Sequence, residues 1–401
     1  MPRTSPPTPS RLPRDAQRLI ALTESLALSG CRLEDTYWEN LLGQHLTKLL
    51  QGRRNKHIES VLEYLLDHNL NAYEILVEQA ETFSESTTLP AAGGDHDVLL
   101  VSAPLVAWTR YQIPAGALDA DTHASLASKL SSCVAAPGAK LALIPELVSF
   151  EQMPRTFQET WVWAHRLGLE ALGARTESCE IRRPEDAEGM LADARFLVGA
   201  IVVPRGNPLF RWQADVPEPP TREQCLAEWT RACEEALGPL FTGCTLEYML
   251  PDAYYVNSRE ADRRVRPLAL KAAVTWLQTA VGLPPSDVRA TIVGCGDATT
   301  EEFRVGFSTR QNNDVIYGCV WPVLSKEEAL TDGSDTAEAD TPDQIAALLR
   351  ELGVQDIRRL PGLQPVEYCE DCGAPYFPNP LGEMQHPEIP DEADLNPVHF
   401  H

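Results

Sequence analysis

The chain has 401 residues, 43% of them hydrophobic, enough apolar material for a sizeable core divided among two or three domains. Fifty-eight acidic against 34 basic residues leave a formal net charge of −24, which repels phosphate backbones and argues against general nucleic-acid binding. No run of roughly 18 apolar residues occurs, and the Pro-rich start leads into no apolar signal region, so a cytoplasmic protein with no membrane span is expected.

Residues 1–13 are rich in Pro, Ser and Thr and read as a disordered arm. The first 60 residues carry nine Lys/Arg against six Asp/Glu, with Arg3, Arg11, Arg14, Arg18 and the loop Arg53-Arg54-Asn55-Lys56 making this end locally basic. A solvated arm and loop is one reading, and contact with an acidic partner or RNA is the other. From 14 to 86, four amphipathic patterns with short connections predict an antiparallel helical bundle. The first has Asp15 as its cap and Leu19, Leu22 and Leu26 on one face; the second runs through Trp38, Leu42, Leu46 and Leu49; the others carry Ile58 with Leu65, and Leu76 with Ala80. The polar stretch from Ser84 to Gly94 reads as a linker.

Beyond it the period changes to strand-like. Val98–Ala103 is a continuous apolar run, followed by a helix from Thr122, a strand Lys140–Glu146 containing Pro145, and a helix through Phe157, Trp161 and Leu172. The order recurs in Phe196–Ile201, a capping box at Thr221-Arg222-Glu223-Gln224, and Leu246–Asp252 containing Pro251. A third, incomplete copy is expected at Val315–Val320, Thr341 and Arg358–Gly362. These elements predict an α/β fold with a mixed sheet, built from two and a half pseudo-repeated β-α-β units at 95–195, 196–310 and 311–366. Strands at 290–294 and 303–307, joined by a turn at Gly296-Asp297, supply antiparallel pairing. The acidic stretch 331–340 reads as a solvated loop.

The tail at 367–401 carries the clearest chemistry. In Tyr368-Cys369-Glu370-Asp371-Cys372-Gly373 two thiolates can converge on one ion, and the glycine permits the tight turn whose N–H groups point at the sulfurs. His386 is the nearest third ligand, and His399, His401, Glu383 or Glu388 are candidates for the fourth. This is half of a paired zinc motif, giving a zinc-knuckle-like tail; a pair of ordinary reduced surface thiols is the alternative. A redox dithiol would be followed by a helix, which Pro375, Pro378 and Pro380 forbid. The other eight cysteines lie mostly in apolar segments such as Ile316–Trp321, where a thiol packs as a small hydrophobe and no disulfide framework is implied.

Candidate ligand-binding residues lie at the strand ends. Glu146 and Asp252 occupy equivalent places and could share an acidic pocket between units one and two, although each carboxylate could equally cap the backbone after it. Arg110 and Arg211 recur after the first strand of each unit and could hold an anion, or each could stack on its aromatic neighbour. Gly294-Cys295-Gly296-Asp297 lacks the Lys and the helix of a phosphate-binding loop, and no nucleophile elbow or His-Glu-x-x-His occurs. His165 and Trp161 read as core.

The segments Arg11–Leu19, Tyr37-Trp38-Glu39 and Cys369–Pro378 resemble a bacterial protein family of about this length that is catalogued only as a domain of unknown function. The resemblance spans nearly the whole chain and implies a cytosolic location, and it implies nothing about activity, cofactor or site. Together these features lead to the expectation of a zinc-stabilised, non-enzymatic protein with a binding or regulatory role; an enzyme or small-molecule sensor using Glu146 and Asp252 is the alternative.

Overall fold

A computed structural model describes residues 12–109, 113–181, 192–297, 299–323, 340–390 and 393. The N-terminal apolar spacing becomes α1 (Arg14–Ala27), α2 (Arg32–Gln51), α3 (Asn55–His68) and α4 (Leu70–Glu85), whose inward residues Leu19, Leu42, Leu46, Ile58, Leu65 and Leu76 lose all exposure in one shared core. Asp15 lies inside the first turn of α1 and not at its cap, where it pairs with Arg54. At the end of α2, Arg53 N–H donates to the Leu50 carbonyl (3.2 Å) and Arg54 N–H to that of Leu49 (3.0 Å), a Schellman closure. Arg53 occupies its left-handed position at φ +53°. Glycine is usual there, and an L-residue costs about 1–2 kcal/mol.

Residues 84–94 are not a linker. β1 (Ser86–Ala91) follows α4 directly and pairs antiparallel with β2 (Gly94–Trp108), closing at Ala91 and Gly94. The turn is possible because Gly93 and Gly94 adopt φ values of +104° and +119°, open to glycine at little cost. β-Branched Thr87 and Thr88 suit the strand that polarity alone disguised.

Two long strands, β2 and β6 (Ala192–Pro204), form the antiparallel axis of an eight-stranded sheet, paired from His96–Pro204 to Trp108–Ala192. On the outer side of β6 lie β4 (Lys140–Leu143) and β5 (Glu146–Ser149), with β3 (Gly116–Ala117) beyond β5. On the outer side of β2 lie β7 (Thr245–Tyr248) and β8 (Asp252–Ala253). Each long strand is thus flanked by short strands from the other half of the chain. Consequently every pair in this sheet is antiparallel, in contrast to the β-α-β units expected. Helices α5 (Ala120–Cys133) and α7 (Arg222–Leu237) cover one face through Leu126, Leu130 and Trp229. The other face packs on α6 (Phe157–Ala171) and the first half of α8 (Tyr254–Ala280) through Trp163, Leu167 and Ala261. α5 begins two residues before Thr122, because its cap is Asp119, which accepts the Asp121 and Thr122 N–H groups.

The third copy does not extend this sheet. β9 (Val288–Cys295), β10 (Glu302–Thr309), β11 (Tyr317–Pro322) and β12 (Asp356–Gln364) form a separate four-stranded sheet in the order β11-β10-β9-β12. It is mixed: β12 runs parallel to β9, and the other pairs are antiparallel. Pro145 and Pro251 fall between two short strands, whereas Pro361 lies inside β12 at a register shift, so the three prolines do not mark one topology. α9 (Thr341–Glu351) and the second half of α8 cover the sheet through Leu270, Leu277, Ile345 and Leu349. The acidic stretch 331–340 lies outside the described residues except for Asp340, which caps α9.

The 27-residue α8 joins the two sheets despite Pro267 within it. Glu85, at the end of α4, accepts the Tyr255 N–H in the first turn of α8 (2.9 Å). Burial, opposed by that hydrogen bond and reinforced by nearby Glu81, raises the Glu85 carboxyl from an ordinary 4.5 to about 7. The folded chain therefore binds a proton that the unfolded chain releases between those values. Stability falls as pH rises from about 4.5 to about 7 and stays lowered above it. Glu85→Gln keeps an acceptor for Tyr255; it is expected to stabilise the protein by about 1–3 kcal/mol at pH 8 and to change little below pH 5, as measured by urea unfolding.

Candidate metal centre

After β12 the chain makes two small hairpins. In the first, Tyr368 bridges Pro375, Cys369 N–H donates to the Ala374 carbonyl (2.8 Å), and Gly373 N–H donates to that of Cys369 (2.9 Å). Gly373 turns the chain at φ +72°. The second hairpin pairs β13 (Phe377–Pro378) with β14 (Met384–Gln385). Its turn is organised by buried Asn379, whose Oδ1 accepts the Leu381 and Glu383 N–H groups at 2.9 Å each. His386 follows β14 directly, so this hairpin returns the imidazole to the cysteine turn.

Donor atoms of Cys369, Cys372 and His386 all lie within 4.8 Å of one another, and Cys372 Sγ is 3.1 Å from His386 Nε2. Zinc bonds of about 2.3 Å to sulfur and about 2.0 Å to nitrogen, at a tetrahedral angle, place S and N roughly 3.5 Å apart. An outward shift of about 0.4 Å therefore accommodates the ion, and the two-sulfur, one-nitrogen donor set suits zinc. Among the described residues the group has three members. Glu383 is occupied by the Asn379 amide (2.8 Å), while His399 and His401 lie outside the described residues.

The cysteines differ in electrostatics. N–H groups of Cys372 and Asp371 hold the Cys369 thiol below its ordinary range, favouring the thiolate that binds metal. Burial has the opposite effect elsewhere, pushing Cys295 up to about 11 and Cys319 to about 12. Those thiols are packing groups.

Sequence reading missed what fastens the turn. Arg304 on β10 is fully buried: its Nε donates to Glu302 (2.6 Å), and its Nη1 donates to the carbonyls of Glu367 and Tyr376 at 2.7 Å each. It also lies 5.1 Å from the Tyr368 ring centroid. One guanidinium thus holds both arms of the first hairpin. The second hairpin lies on two glycines, because a Cβ at Gly306 would stand 2.1 Å from the Pro378 carbonyl oxygen and one at Gly318 would stand 2.2 Å from the Phe377 ring. Gly306 and Gly318 are directly paired across β10 and β11. A charged residue in an apolar strand, followed two positions later by glycine, was the available signal.

The strand-end residues are not brought together. Glu146 begins β5 and Asp252 begins β8, on opposite flanks of the sheet with β6 and β2 between them, so their strands are about 14 Å apart. Asp252 is also engaged by Arg222 at 2.8 Å. A shared acidic pocket therefore does not form. Arg211 donates to Glu228 and to the Cys133 carbonyl, and it is Arg222, 4.7 Å from the ring centroid, that stacks on Trp212. Arg110 lies outside the described residues. The Gly294–Asp297 turn uses the Gly296 N–H for the Gln364 carbonyl (2.9 Å), and a Cβ there would meet the Thr299 carbonyl at 2.0 Å, so its glycine serves the backbone. His165 stacks on Trp161, and burial keeps its proton affinity low.

Arg304→Leu would leave Glu302 and two carbonyls without their cation, at an expected cost of about 3–5 kcal/mol. Gly306→Ala should release the second hairpin at a cost of about 1–3 kcal/mol. Hydrogen exchange checks both: amides of 367–386 should lose protection in each variant, while those of α2 and β6 keep theirs.

No helix among the described residues is long and apolar enough to cross a membrane. No curated protein and no solved structure matches the chain. A family model described as a protein of unknown function, DUF2863, matches residues 4–400, and the chain belongs to that family.

Proposed function

We propose that this protein is a non-enzymatic, cytoplasmic, zinc-stabilised protein with a binding or regulatory role, whose C-terminal tail is folded by the ion. The observation that carries the reading is the convergence of Cys369, Cys372 and His386. Composition supports it. Between residues 367 and 390, the buried apolar side chains are Phe377, Pro378 and Pro380. Such a segment cannot supply its own core, whereas zinc contributes on the order of 10–16 kcal/mol in isolated zinc peptides. In this reading the ion closes the two hairpins on each other, while Arg304, Gly306 and Gly318 hold them to the second sheet. The separation of Glu146 from Asp252 supports a non-catalytic role, since the acidic-pocket alternative needs them close.

We further propose that the eight-stranded sheet arose from an internal duplication. The order of long strand, helix, two short strands broken at proline, and helix occurs twice, with Pro145 and Pro251 at corresponding breaks.

Metal analysis of the natively purified protein by mass spectrometry tests the central reading. One zinc per chain is expected, with loss in Cys369→Ser and His386→Ala and a fall in thermal midpoint when a strong chelator strips the wild type. A metal-free native protein whose midpoint ignores chelator would contradict it.

A further inference from the structure

A cavity of about 420 Å³ lies where the helical bundle meets α6, remote in sequence from the cysteine turn and of a size that suits a small organic ligand. One face of α6 forms a wall through Gln158, Val162, Trp163 and Arg166, which span about 12 Å of helix. Met153 and Pro154 add apolar surface, and Arg53 reaches the cavity from the bundle. The Gln158 amide donates to the Leu50 carbonyl (2.9 Å), fixing the end of α2, and therefore Arg53, against α6.

The charged groups are not equivalent. Arg166 is committed to the segment after α6, donating to the Ser178 carbonyl (3.0 Å) and to Glu177 (3.3 Å). The Glu159 carboxylate accepts the Arg155 and Thr156 N–H groups as part of a capping box. Arg53 differs, because among the described residues its guanidinium makes no hydrogen bond or ion pair. It also stands in the left-handed backbone position that favours glycine, although Gly52 is its neighbour at an ordinary φ of −77°. A strained position held by a residue whose side chain has no structural partner points to a task for that side chain.

We propose that this cavity binds a small aromatic anion, with its carboxylate or phosphate on Arg53 and its ring against Met153, Val162 and Trp163. Glu180, which also lines the cavity, disfavours a second anionic group elsewhere on the ligand and so selects a ligand with one such group. The site is independent of the metal.

Isothermal titration calorimetry on the full chain tests this with 1-naphthoate, 1-naphthyl phosphate and the neutral 1-naphthylmethanol. At least one anion should bind at one site per chain and more weakly as salt rises, with the neutral alcohol weaker by about tenfold or more. Arg53→Gly is the discriminating variant: it should raise the thermal midpoint, because glycine suits the backbone, and weaken the anion by about tenfold or more. Val162→Trp, which fills the cavity, should abolish binding. Absence of binding by both anions, affinity unchanged in Arg53→Gly, or a lowered midpoint in that variant would overturn the proposal.

Discussion

The two C-terminal hairpins have almost no core of their own, and a buried guanidinium joins the first of them to the second sheet. Arg304 is taken fully out of water, a placement that is tolerable only when a carboxylate and good acceptors surround it. Glu302 supplies the carboxylate, and the carbonyls of Glu367 and Tyr376 supply acceptors from the two arms of the cysteine turn. The charge that would destabilise an apolar sheet alone therefore fixes where the thiolates sit. The glycines opposite Phe377 and Pro378 make the same contact by leaving space. On the proposed reading, metal ligation and sheet packing become one problem: an ion would close the hairpins that the sheet orients.

A second constraint operates at the other end of the fold. α8 passes from the large sheet to the small one, and its first turn is held by Glu85 at the end of α4. Nearby, Arg259 of α8 grips Glu81 of α4 at 2.6 and 3.0 Å, and the Tyr255 hydroxyl donates to Thr160 of α6 (3.1 Å). The N-terminal helices, the large sheet and the small sheet thus meet along one helix. The polar groups at that junction are mutually satisfied, at the cost of one carboxyl whose charge burial disfavours.

Local patterns were legible in the sequence where one physical cause dominated. Heptad-like spacing of leucines gave the four N-terminal helices, the Thr221–Gln224 capping box marked the start of α7, and Cys-x-x-Cys-Gly with a later His gave three donors that the fold brings together. The antiparallel pairing of β9 with β10 was legible from the turn between them, but that of the two long strands was not, because the apolar runs Val98–Ala103 and Phe196–Ile201 look alike whether they lie parallel or antiparallel; the partner of each proved to be the other. α8 escaped notice because Pro267 and the charged run from Ser258 to Arg264 obscure its apolar face, which packs on two different sheets. Arg304, Gly306 and Gly318 act through non-local contacts that no spacing rule encodes. Arg53 is a similar case, its meaning visible only once its backbone angle and the cavity beside it are known.

Coordination of the tail by zinc is the claim on which the account of the C-terminal region stands. X-ray absorption at the zinc edge, on protein purified without added metal, measures it at the ion itself. The account predicts two sulfur scatterers at about 2.3 Å with at least one imidazole nitrogen at about 2.0 Å. A shell of oxygen alone, or an edge too weak to record, would contradict it.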